Sequence, residues 1–127
     1  QVSMRVDKLP EDHYKMLRFY LLFWKEWREV LLDGKLTATN PECEYSRVCS
    51  KLGDKAVCTA YSDRIISVKA AETVAVNATA EKSLIIKNAQ GKSYKVVNCM
   101  GEELSQGKIE TKLEEITVPI AGMIFIK

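Results

Sequence analysis

From Pro10 to Asp33 the chain contains no glycine and no further proline, and its apolar residues recur at steps of three and four. Met16, Phe19, Tyr20, Phe23, Trp24, Trp27, Val30 and Leu31 therefore share one broad face of a predicted helix. Pro10 suits the first turn, where its missing N–H would have no intrahelical acceptor. Glu11 and Asp12 put negative charge at the positive end of the helix dipole. Gly34 is the expected left-handed stop. A helix of about 24 residues is ~36 Å long.

From Tyr45 onward the period falls to two. The alternation predicts strands over Tyr45–Ser50, Lys55–Tyr61, Ile65–Val68, Thr73–Asn77, Leu84–Asn88, Tyr94–Cys99, Lys108–Leu113, Glu115–Val118 and Met123–Ile126. Leu52-Gly-Asp54, Asn88-Ala-Gln-Gly91 and Met100-Gly101 are turn signals between them. Short strands spaced by about 8 to 12 residues indicate a sandwich or barrel. The predicted fold is mainly β: an antiparallel β-sandwich of roughly seven to nine strands preceded by one long N-terminal α-helix. The division falls between residues 1–34, the helical segment, and 35–127, the sandwich, with a polar connector over 35–44. Expected core positions are Val48, Val57, Ile66, Val74, Val76, Ile85, Val96, Ile116, Val118, Ile124 and Ile126, with Phe19, Phe23, Trp27 and Leu31 on the helix.

The helix carries more apolar surface than one sandwich flank can cover. Tyr14, Leu17, Leu21, Leu22 and Leu32 point away from the first face, interrupted only by Lys15, Arg18, Lys25, Glu26, Arg28 and Glu29. A helix apolar around most of its circumference is normally buried on more than one side. Leaving four large side chains in water forgoes about 6–12 kcal/mol, at roughly 1.5–3 kcal/mol each. That rivals the whole stability of a typical domain. The helix is therefore expected to pack against another part of a longer polypeptide, or against a second copy of the chain. The alternative is that Lys and Arg stems cover the excess.

Composition narrows the picture further. At 127 residues the chain holds one domain and no complete (β/α)₈ barrel, which needs roughly 200 to 250 residues. Six of its ten aromatics, both tryptophans among them, lie in the first 27 residues. A net charge of +2, evenly spread, gives no reason to expect nucleic acid or a membrane as partner. The opening residues carry charge without a cleavable apolar core, which points to a cytoplasmic chain. Cys43, Cys49, Cys58 and Cys99 form no CxxC pair and are expected as free thiols, with Cys49 and Cys58 facing inward.

Little in the sequence reads as an active site. Glu102-Glu103 and Glu114-Glu115 are paired carboxylates beside glycine or at strand starts, where solvated loop charge accounts for them. His13 sits in the first helical turn with no serine or cysteine beside it for a nucleophilic pair. Gly101 and Gly107 flank an acidic loop without forming a phosphate cradle. No catalytic residue, cofactor ligand or metal ligand is expected. For glycan binding, the aromatics outside the helix are Tyr45, Tyr61, Tyr94 and Phe125, and alternation makes Phe125 a core residue.

The stretch Leu9-Pro-Glu-Asp-His-Tyr-Lys-Met-Leu-Arg-Phe-Tyr-Leu-Leu-Phe-Trp-Lys-Glu-Trp-Arg-Glu-Val-Leu-Leu-Asp-Gly34 resembles the end of the catalytic barrel in family 36 glycoside hydrolases, the α-galactosidases or melibiases. Arg28-Glu-Val-Leu-Leu-Asp-Gly34 corresponds to that family's Arg-x-x-Leu-Leu-x-Gly-like segment. Tyr45, the strand ending Ala60-Tyr61-Ser62, and Val118-Pro-Ile-Ala-Gly-Met-Ile-Phe-Ile126 look like its C-terminal β-sandwich. Related barrel glycosidases such as the α-glucosidases carry similar terminal sandwiches. The resemblance implies a non-catalytic C-terminal domain of a retaining glycoside hydrolase. Its partner is then a catalytic barrel of the same polypeptide, which holds the catalytic carboxylates, with subunit contacts through the aromatic helix face. Two other functions fit the residues: a carbohydrate-binding sandwich module, and a stand-alone oligomerisation or scaffold domain.

Overall fold

Why the helix and the sandwich form one unit becomes visible from the two faces of the central strands. The computed structural model describes residues 10–38, 47–60 and 65–127. One helix, α1 (Glu11–Asp33), precedes ten strands: β1 (Lys35–Ala38), β2 (Arg47–Leu52), β3 (Lys55–Ala60), β4 (Ile65–Ser67), β5 (Thr73–Ala78), β6 (Lys82–Lys87), β7 (Ser93–Val97), β8 (Glu103–Lys108), β9 (Leu113–Val118) and β10 (Met123–Ile126). Seven strands form a sheet in the order β1-β2-β3-β5-β10-β7-β8, and β4-β6-β9 form a second. Most pairs are antiparallel; β3 with β5 and β4 with β6 are parallel, so both sheets are mixed.

The expected helix-plus-sandwich architecture is present, in three layers. Between the sheets lies the main core: Ala56, Cys58, Val74, Val76, Val96, Ile124 and Ile126 from the large sheet meet Ile66, Leu84, Ile86, Ile116 and Val118 from the small one. On the other face of the large sheet a second cluster joins Trp27 and Val30 of α1 to Ala75, Val97 and Met123, with Phe19, Phe23, Val57 and Phe125 packed around them. Strands covered on both faces need apolar residues at successive positions. This is why Thr-Val-Ala-Val-Asn-Ala in β5 and Met-Ile-Phe-Ile in β10 lack polar alternation.

Several expectations need correction. Ile85 points outward while Leu84 and Ile86 are buried, because the run Leu84-Ile85-Ile86 fits either register and the pairing with β9 selects the flanking pair. Val57 is half-buried under the helix rather than in the sandwich core. Leu31 remains 38% exposed; the helix seats Val30 instead, one residue round its circumference. No strand spans Lys108–Leu113: β8 ends at Lys108, Ile109 is buried in the turn that follows, and β9 begins at Leu113. The polar segment of β8, exposed throughout, pairs only with β7 at the sheet edge and so carries no apolar periodicity to read. Likewise β1 lies inside the stretch read as a connector.

Gly34 is extended, with φ −68° and ψ 149°, rather than left-handed. Its need for glycine is steric. A Cβ there would fall 2.1 Å from Val30 O and 2.3 Å from Ser50 Oγ. Cys49 and Cys58, expected as free thiols, are bonded to one another across directly paired positions of β2 and β3. They do face inward, as alternation requires. Val48's side chain, Cys43, Tyr45 and Tyr61 lie outside the described residues.

Candidate docking face

Two seams run along α1, and the sheet uses one of them. Phe19, Phe23, Trp27 and Val30 line the inner seam. The Phe23 and Trp27 rings stack with centroids 6.1 Å apart, and Phe125 of β10 lies 6.3 and 6.4 Å from them. Trp27 is fully buried, and its Nε1 has no hydrogen-bond partner among the described residues. Beneath it Lys55 Nζ lies 4.6 Å from the ring centroid, an electrostatic contact with the electron-rich face.

Polar contacts fix the helix at both ends. Near the C-terminal end Ser50 Oγ donates to Val30 O at 2.5 Å, and the Gly34 N–H donates to the same oxygen at 3.0 Å. The Gly34 bond closes the last i→i+4 turn of the helix, and the Ser50 hydroxyl gives the same carbonyl a second donor from β2. Glu26 reaches Lys127 at 3.9 Å. Towards the N-terminal end Lys15 pairs with Glu102 at 3.5 Å, beside the Met100-Gly101 turn. Gly101 has φ +79°, and Phe19 packs so closely that a Cβ at Gly101 would fall 2.7 Å from its ring. The side-chain amide of Asn98 and the Lys15 ammonium hold the Glu102 carboxyl below the usual range.

The outer seam has no such cover among the described residues. Tyr14, Leu21, Leu22, Trp24 and Leu32 are all exposed, Leu32 to 67%. A shallow groove along it is lined by Tyr14, Leu17, Arg18, Leu21 and Leu22. A smaller cleft opens where the helix overhangs the sheet, lined by Tyr20, Phe23, Leu31, Thr59, Asn77 and Met123, among others.

No family model, curated protein or solved structure matches the chain.

The residues weighed for chemistry do not converge. His13 is exposed on the first turn of α1. Glu102 turns back to Asn98 and Lys15, whereas Glu103 opens the exposed β8. Glu114 accepts from the Thr111 hydroxyl at 3.1 Å, and Glu115 accepts from the Ser83 hydroxyl across the β6–β9 pair. Tyr94 packs partly on the sandwich core, with Gly107 opposite it on β8, and Phe125 belongs to the helix–sheet cluster. Among the described residues no group of three or more His, Cys, Asp or Glu could hold a metal ion. Among the described residues no helix is long and apolar enough to cross a membrane.

One buried carboxylate escaped the sequence reading. Glu72, only 8% exposed, accepts from the Lys69 backbone N–H and from Lys51 Nζ, each at 3.0 Å. Burial alone would push its carboxyl up, but the Lys69 N–H and the Lys51 hydrogen bond and charge outweigh it, and the group sits below the usual range. Lys92 Nζ also donates to Glu72 O at 2.6 Å, so the residue ties the β4–β5 and β6–β7 loops to strand β2. Its surroundings, Ala70-Ala-Glu-Thr, read as a surface turn, and only the fold reveals the lysines that converge on it.

Proposed function

We propose that the chain is a non-catalytic β-sandwich domain of an α-galactosidase-like glycoside hydrolase, and that α1 joins it to a catalytic barrel. The observation that carries the reading is the two-sided helix. Its aromatic inner seam is buried on the large sheet, while an outer seam of comparable apolar size faces solvent. An exposed apolar strip of this kind marks an interaction surface. The segment Arg28–Gly34, which resembles the family's barrel-end motif, lies where that helix hands over to the sandwich. In this reading the domain buttresses the barrel, the barrel supplies the two carboxylates, and further outer surface serves subunit contacts. A cytoplasmic location belongs to the same proposal.

The test compares the chain with a polypeptide extended upstream of Gln1 as its gene encodes it. The extended protein is expected to hydrolyse an aryl α-galactoside. Leu21→Glu should lower its melting temperature and activity while changing the stability of the isolated chain by no more than about 0.5 kcal/mol, the scale of an exposed site. An extended protein without glycosidase activity, or one indifferent to Leu21→Glu, overturns the reading.

A further inference from the structure

The charges on the outer seam identify the kind of surface it fits. At 3.6 residues per turn, Tyr14, Leu17, Leu21, Trp24, Arg28 and Leu31 follow one another at alternating steps of three and four, the spacing that forms a seam for another helix or groove. The Tyr14–Leu31 side of the outer seam bears three strong cations, Arg18, Lys25 and Arg28, while Glu11 and Glu29 lie beyond Arg18, between it and Leu22 at the other margin. All three are exposed, and among the described residues none has an ion-pair partner. Two of the helix's acidic residues are engaged: Glu11 with Lys15 at 3.7 Å and Glu26 with Lys127.

We infer that the outer seam of α1 docks on a protein surface that is apolar along its centre and lined by carboxylates, one of them opposite Arg28. This rests on the docking reading above and adds the partner's chemistry. Arg28 lies within the leucine seam rather than at its margin, so any partner covering the seam also covers the guanidinium. A covered charge left without a counter-ion is strongly unfavourable, whereas a carboxylate matches its fork with two hydrogen bonds. Arg18 and Lys25 border the seam and ask for further negative charge along one side. A lipid surface fits less well. Glu11, Glu29 and Asp33 border the same seam and would be repelled by anionic headgroups, and a membrane-lying helix keeps its cations beside the apolar strip rather than in it.

Two synthetic helical peptides serve as probes, both with leucine at every a and d position, one with glutamate and the other with lysine at e and g. Titrated against the full chain at low salt, the glutamate peptide is expected to bind about tenfold or more tightly than the lysine peptide. The preference should shrink as salt screens it. Arg28→Glu, an exposed substitution whose fold is checked by circular dichroism, should remove or reverse the preference while leaving leucine-driven binding. Equal affinity for both peptides overturns the carboxylate inference and leaves the docking reading standing. Binding of neither peptide overturns both. Stronger partition into phosphatidylglycerol vesicles than onto the glutamate peptide, or a dimer that persists in Arg28→Glu, also overturns it, in favour of a membrane or a second copy respectively.

Discussion

Trp27→Ala is expected to cost about 3–5 kcal/mol, the range for deleting a large aromatic from a packed interior. The indole is fully buried between the helix and the large sheet, beside Phe23 and Phe125 and over Lys55. Its removal leaves a cavity that the flat sheet beneath cannot collapse to fill, and strips Lys55 of its ring contact. A urea titration measures the loss as a fall in midpoint with little change in slope. The indole N–H sharpens the expectation. Because Nε1 has no partner among the described residues, Trp27→Phe keeps most of the apolar contact and removes an unsatisfied donor. It should therefore be much milder than Trp27→Ala. A loss below about 0.5 kcal/mol for Trp27→Ala would mean that the helix does not sit on the sheet.

The second large effect concerns Cys49 and Cys58. Their bond closes a loop with a sequence separation of 9, around the turn of the β2–β3 hairpin. For a loop of that size the chain-entropy account gives about 2–3 kcal/mol. Reductant, or the double substitution Cys49→Ala with Cys58→Ala, should lower the urea midpoint accordingly. Thiol titration of the denatured, unreduced chain should detect two fewer thiols than the four cysteines. A chain that releases all four thiols and is indifferent to reductant contradicts the bond.

What could be read from the chain depended on whether an element carries its own periodicity. The helix announced itself because its apolar steps of three and four run unbroken for six turns, and its bounds agree to one residue at the start. Strands β3, β5 and β10 were legible from β-branched and small apolar residues between turn signals. Strand β8, Glu-Leu-Ser-Gln-Gly-Lys, was not, because an edge strand exposed along its length has no buried face to leave a pattern. The same ambiguity misassigned Ile85: three consecutive apolar residues do not state which of them faces the core. Gly34 marks the end of the helix, but its constraint is the room taken by Val30 O and by Ser50, a residue of β2, rather than a left-handed backbone. Long-range partners of this kind, like the lysines around Glu72, leave no local signal.

The docking face was legible only in part. The surplus of apolar residues around the helix could be counted, but which half the sheet takes depends on the register of Trp27 and Val30 against Ala75 and Met123. That register makes the two tryptophans opposites. Trp27 is sealed inside, and Trp24, three residues earlier, is 44% exposed on the outer seam.

Hydroxyl-radical footprinting read by peptide mass spectrometry tests this division directly, because Lys25 separates the two rings into different tryptic peptides. In the isolated chain Trp24 should oxidise readily while Trp27 is protected. In the polypeptide extended upstream of Gln1, both should be protected. Equal oxidation of Trp24 in the two forms would contradict the claim that the outer seam is a docking face.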